Sequence, residues 1–169
     1  MLTISDELYQ QVILDHNKNP RNYGKLENPT HSALGHNPLC GDRIEVNLSI
    51  DPQGVIQEIR FVGEACAICK SSSSLMTTRV KSSSTEQAIA LFGQFQQLLQ
   101  KKLDLQGPHD LQKLTLFAGV WNYPARVKCA ALPWHTLLSA IQKTPQVANT
   151  ESGSLDMAPP AIPLSSQKN

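Results

Sequence analysis

Residues 43–62 constrain this chain most, because their periodicity fits a single kind of structure. Ile44, Val46, Leu48 and Ile50 alternate with Arg43, Glu45, Asn47 and Ser49, the period-two pattern of a strand buried on one face. Asp51-Pro52-Gln53-Gly54 follows as turn chemistry, with proline presetting the first central dihedral and glycine suiting the exit. Val55 to Val62 returns as a second strand, so the pair reads as an antiparallel hairpin. Cys40 and Asp42 stand just before its first arm, and Cys66 stands just after its second. Arms of similar length bring the two ends of a hairpin side by side, which makes the first two thiols neighbours.

Helical patterns surround this hairpin. Ser5-Asp6-Glu7-Leu8 suits a helix start, with Ser5 as cap and acids at the positive end of the dipole. Asn19-Pro20 ends that helix. The stretch from Asn22 to Pro38 reads as extended loop with one short strand near Ser32–Leu34. A helix is expected from Ala67 to Lys81, and its run Ser71 to Ser74 suits either close packing on the sheet or a solvated face. Ser84-Thr85-Glu86-Gln87 is a capping-box signature, followed by Ala88, Leu91, Phe92, Phe95, Leu98 and Leu99 on one helical face. Gly107-Pro108 breaks the chain, and Leu111, Leu114 and Phe117 suggest a short helix. Tyr123-Pro124 opens the last helix, where proline's missing N–H costs nothing. Pro133 is expected to kink that helix or start a new segment. From Thr144 onward the composition turns to Pro, Ser, Asn and Gly, giving a folded domain of 1–143 and a mobile C-terminal tail of 144–169.

At 169 residues the chain suits one domain whose core needs no disulfides. Four cysteines without an N-terminal signal pattern place it, by expectation, in the reducing cytoplasm. Scattered thiols there are more often metal ligands or catalytic groups than staples. No apolar run approaches a membrane span of about 20 residues. A net charge of +1 gives no reason to expect nucleic acid as a partner.

The chemistry-bearing residues are isolated in sequence but each marks an element boundary. Cys40-Gly41-Asp42, Cys66 and Cys129 read as one site in which three thiols and a carboxylate share a metal or cluster. Three structural cysteines in the core are the plainer alternative. Cys66-Ala67-Ile68-Cys69 offers a rival chemistry, a redox CxxC at a helix start, although a hairpin precedes it where a thioredoxin-like unit needs a βαβ element. Cys69 then serves as a fourth ligand or, preferably, packs as a small apolar residue. Among His16, His31, His36, His109 and His135, none stands at metal-binding spacing from another, and His36 is nearest to Cys40. Arg126 and Lys128 flank Cys129 as solvated charges, or as cations that favour its thiolate and contact a partner.

Taken together these pieces resemble the U-type iron–sulfur assembly proteins, the family of IscU and the N-terminal domain of NifU. The matching residues are Leu8-Tyr9 through Asp15-His16, Lys18-Asn19-Pro20-Arg21-Asn22, Asn37-Pro38 with Cys40-Gly41-Asp42, Gly63-Glu64 with Cys66, Met76-Thr77, and Pro124 to Ala130. The chain is most similar to the SufU branch. It lacks the Leu-Pro-Pro-Val-Lys chaperone-docking motif of Isc-type scaffolds, carries Lys128 where they have histidine, and has a longer segment from Lys101 to Tyr123. The resemblance implies an α+β fold with a small antiparallel three-stranded sheet against about five helices, and a metal site at one exposed end. It implies metal binding by Cys40, Asp42, Cys66 and Cys129, holding zinc or, in a scaffold, iron as a nascent 2Fe-2S cluster. The implied partners are a PLP-dependent cysteine desulfurase of the SufS kind and downstream iron–sulfur carrier or recipient proteins. Cys40 is the implied sulfur acceptor with Cys129 second, and Arg126 is assigned to orient the partner's persulfide or fix Asp42. Such a protein is a sulfur-transfer factor or assembly scaffold rather than a stand-alone enzyme. A CxxC thiol-disulfide oxidoreductase and a structural zinc protein remain the alternatives.

Overall fold

The computed structural model of the chain describes residues 4–143 and 148–149. Three strands, β1 (His31–Asn37), β2 (Asp42–Ile50) and β3 (Ile56–Glu64), run antiparallel in the order of the chain. Across β2 and β3, Val46 pairs with Phe61 and Leu48 with Ile59, and all four side chains are buried. The alternate positions, Arg43, Glu45, Arg60 and Glu64, stay at least partly in solvent. Two residues of β4 (Ala148–Asn149) add a parallel edge to β1 beside Gly35 and His36. The tail expected over 144–169 otherwise lies outside the described residues.

Five helices complete the α+β fold: α1 (Ile4–Lys18), α2 (Ala67–Val80), α3 (Thr85–Leu99), a 3-10 helix (Gln112–Val120) and α4 (Pro124–Gln142). α4 lies over β1 and β2, α2 packs between α4 and α1 and reaches β3, and α3 closes the core with the 3-10 helix. The interior joins Val46, Leu48 and Phe61 of the sheet to Met76, Phe95 and Trp134 of the helices. Burying such side chains contributes about 1.5–3 kcal/mol each. Gly35 sets how close α4 comes to the sheet, because a Cβ there would fall 2.0 Å from Thr136 Oγ1. Among the described residues, no helix is long and apolar enough to cross a membrane.

Several local expectations shift. Ser84 caps α3 with the reciprocal Gln87 bond that its signature predicts. Ser5, by contrast, lies inside α1, which is already helical at Ile4. β1 runs well beyond Ser32–Leu34, since hydrogen bonding to β2 extends through its Asn and Gly positions. The short helix near 111–117 is a 3-10 helix ending at Val120. Ser71, Ser72, Ser73 and Ser74 are all fully buried, which settles the choice left open for that run. Pro133 does not end α4. Buried Leu132, Trp134 and Leu137 hold the helix on both sides of it, offsetting a cost of about 3 kcal/mol for an internal proline. Pro133 still has no N–H to give the carbonyl of Cys129 one turn back.

Candidate metal centre

One end of the sheet gathers the thiols. β1 and β2 are joined through Pro38–Leu39–Cys40–Gly41, where Gly41 takes a left-handed φ of +68° that favours glycine. Asn37 and Asp42 pair across the two strands and close this turn, so Cys40 sits at its tip, half-buried, while Asp42 is fully buried. The far end of β3 leads into Cys66, the N-cap of α2, whose Sγ accepts the N–H of Cys69 at 3.5 Å. Cys129 comes from the second turn of α4 and is fully buried. Thus a turn, a helix cap and a helix interior converge from three parts of the chain.

The donor atoms of Cys40, Asp42 and Cys129 all lie within 4.8 Å of one another. The two sulfurs of Cys40 and Cys129 stand 3.0 Å apart. Cys66 flanks the trio: its Sγ is 3.9 Å from Asp42 Oδ2, and its backbone N–H donates to Asp42 Oδ1 at 2.7 Å. A tetrahedral zinc with bonds of about 2.3 Å to sulfur spaces its thiolates roughly 3.8 Å apart. The donor set therefore fits zinc or iron in kind, and seating an ion asks the Cys40–Cys129 pair to open slightly. All four cysteines are free thiols.

The thiols differ in acidity. A hydrogen bond from Cys129 brings the Cys66 thiol down to about 7, burial opposes this, and the Cys69 N–H adds to the lowering. Cys129 moves the other way, pushed up first by donating to Cys66 and then by burial. Within this pair Cys66 is the more acidic thiol, and it sits where a helix N-terminus favours negative charge. Arg126 is exposed at the start of α4, and the negative character of Cys66, then of Cys129, raises its guanidinium further above its ordinary value.

Other residues singled out in the sequence fall elsewhere. Cys69 is completely buried, and burial pushes its thiol well up. It packs in the core, as preferred above. His36 pairs with Arg43 on β2 at a half-buried position, and among the described residues no histidine joins the cluster. Lys128 is half-buried on α4 beside Cys129.

Asn37 is the participant that sequence reading left without a role. It is fully buried, and its Nδ2 donates to Asp42 Oδ2 at 3.3 Å and to Cys129 Sγ at 3.5 Å. Its place opposite Asp42 across a short turn is readable from spacing. Its reach to Cys129 spans 92 positions and leaves no local signal.

Comparison with known proteins agrees with this geometry. The model of the NifU-like N terminal domain matches residues 8–130. The zinc-dependent sulfurtransferase SufU of Bacillus subtilis is 38% identical over 138 residues, covering 82% of this chain and 92% of that protein. The iron-sulfur cluster assembly scaffold protein IscU of Streptococcus pyogenes is 36% identical, with 82% and 86% covered. A crystal structure from Fervidobacterium islandicum AW-1, titled as a SUF-system assembly scaffold protein, aligns with a TM-score of 0.72 at 29% identity, covering 80% of this chain and 97% of its own. The chain belongs to the family of NifU-like N-terminal domains, together with the IscU and SufU proteins.

Proposed function

We propose that this chain works in iron–sulfur cluster biogenesis, receiving sulfur from a cysteine desulfurase at a metal-binding cluster of Cys40, Asp42, Cys66 and Cys129. The observation that carries the reading is the convergence of two thiols and a carboxylate within 4.8 Å, with Cys66 alongside. The sulfurtransferase and scaffold activities of its relatives are what this constellation suits. A bound zinc would hold the thiols deprotonated and shielded until a partner arrives. Asp42 is the ligand most readily released, since a carboxylate holds such an ion less durably than thiolate.

Cys40 is the acceptor in this scheme, because it rides on an exposed turn while Cys129 is sealed in α4. Its thiolate attacks the outer sulfur of the desulfurase's cysteine persulfide. The persulfide S–S bond breaks, the partner's cysteine leaves as thiolate, and a new S–S bond remains on Cys40. The exchange needs no outside oxidant or reductant. Arg126 faces the cluster and suits the anionic persulfide as it approaches. Downstream carrier or recipient proteins then take the sulfur or cluster, in a cytoplasmic setting that keeps thiols reduced.

A cluster scaffold is the second reading, favoured by the likeness to IscU proteins; there iron and sulfide are cargo held by the same ligands. The CxxC oxidoreductase loses ground because the β2–β3 hairpin, and no βαβ unit, leads into Cys66, and the chain belongs to a family of assembly proteins. Mass spectrometry after incubation with desulfurase, its pyridoxal phosphate and cysteine tests the proposal. A sulfur adduct on Cys40 is expected, and the absence of an adduct on Cys40, Cys66 and Cys129 alike refutes sulfur acceptance. Stoichiometric zinc in protein purified without added iron, resistant to exchange by iron, separates transferase from scaffold.

A further inference from the structure

A cavity lies away from the thiols, between α1, α2 and the 3-10 helix. It encloses about 330 Å³ and is lined by His16, Arg21, Leu75, Thr78, Arg79, Gln112, Lys113 and Leu114. No carboxylate is among the lining residues, whereas three cations and an imidazole are. We propose that this cavity binds a small molecule through a phosphate or sulfate group, held by Lys113, Arg79 and His16.

Two of the three groups, Arg79 and His16, are held before any ligand arrives. Arg79 Nη1 donates to the carbonyl of Leu111 at 2.7 Å and Nη2 to that of Asp110. Two backbone acceptors thus hold the guanidinium in place without cancelling its charge. His16 is buried, and its Nδ1 stands 2.7 Å from Ser74 Oγ, which already accepts the N–H of Arg21. That bond fixes the imidazole ring in the cavity wall, and burial with the nearby Arg21 and Lys113 favours its neutral form. Arg21 is partly neutralised by Asp15 at 2.7 Å, and Arg79 feels Asp110. Lys113, among the described residues, enters no salt bridge, so the cavity carries surplus positive charge with an ammonium to spend. Gln112 on its rim holds a left-handed φ of +50°, a conformation that costs a non-glycine residue and is frequent at binding sites.

The test uses the full-length, zinc-loaded protein, titrated with inorganic phosphate, sulfate or adenosine monophosphate at constant ionic strength and followed by amide NMR. Saturable shifts centred on Thr78, Arg79 and Lys113 are expected. Lys113 is exposed, so Lys113→Glu should fold normally and weaken binding by about tenfold or more, the loss of a charge-assisted contact. Lys102→Glu makes the same charge change at another exposed site and should weaken binding less than about twofold by the screened long-range field. Tighter binding of the nucleotide than of phosphate identifies an organic phosphate as the occupant, and equal binding identifies the free anion. Shifts that fail to saturate with all three ligands overturn the proposal. So does equal weakening by the two lysine variants.

Discussion

Helix α2 holds two regions of opposite character. At its N-terminus, Cys66 caps the helix beside Asp42, half-exposed, with its thiol brought down to about 7. One turn on, the interior begins with Cys69 and runs through four serines, all sealed from solvent. Every serine hydroxyl there has a protein partner: Ser71 and Ser73 donate to carbonyls four residues back, Ser72 to Ala130 O, and Ser74 meets His16. Trp134 Nε1 also donates to Ser72 Oγ at 3.2 Å. The lesson concerns bonding capacity. The interior spends all of its polar groups on protein, whereas the cap keeps soft donors for something the chain does not itself supply.

The sharpest way to break this contrast is to exchange its two thiols. Cys66→Ser should weaken zinc binding by about 100-fold, while Cys69→Ser leaves affinity within about twofold and costs roughly 1–3 kcal/mol of stability instead. Chelator competition and denaturant titration measure the two; equal loss of zinc in both variants would bring Cys69 into the site. Next in size, Ser72→Ala leaves the Trp134 N–H and the Ala130 carbonyl without their partner. It should cost about 1–3 kcal/mol with zinc affinity unchanged. Asn37→Ala probes the border between the regions and should reduce zinc affinity about tenfold, the usual effect of losing a group that orients ligands. An unchanged affinity would reduce Asn37 to packing.

The smallest effect is one of pH. Burial, with Arg21 and Lys113 nearby, holds His16 below its ordinary 6.5. The unfolded chain therefore takes up this proton first as pH falls. The contribution of neutral His16 is complete above about 6.5 and is lost progressively below it, down to the lowered value of the folded state. His16→Gln should flatten the stability curve over that acid limb, as read by denaturant midpoints across pH.

The hairpin and its chemistry were legible because alternation and turn residues act locally. Cys40, Asp42 and Cys66 follow from the register of two adjoining arms. Cys129 is another matter: the sequence marks it through its Arg-x-Lys-Cys surroundings, and only packing of α4 over Gly35 delivers it. The serine run was unreadable for a different reason. Hydroxyls suit water and a hydrogen-bonded interior equally, so composition cannot choose between them. Pro133 starts no new segment because its local cost is outweighed by tertiary burial of its neighbours.

That proline also thins the hydrogen-bond ladder of α4. The turn between Cys129 and Pro133 carries one hydrogen bond fewer than its neighbours. Beyond it, Thr136 is clamped onto Gly35 with no room for even a methyl group. The sulfur's own turn is short of a backbone bond yet firmly seated, because Ala130 and Leu132 are sealed in the core and Ser72 Oγ donates to the Ala130 carbonyl. The position of that sulfur is therefore set by side-chain packing in place of the helix ladder, and a substitution beneath it should be felt by any ion it holds.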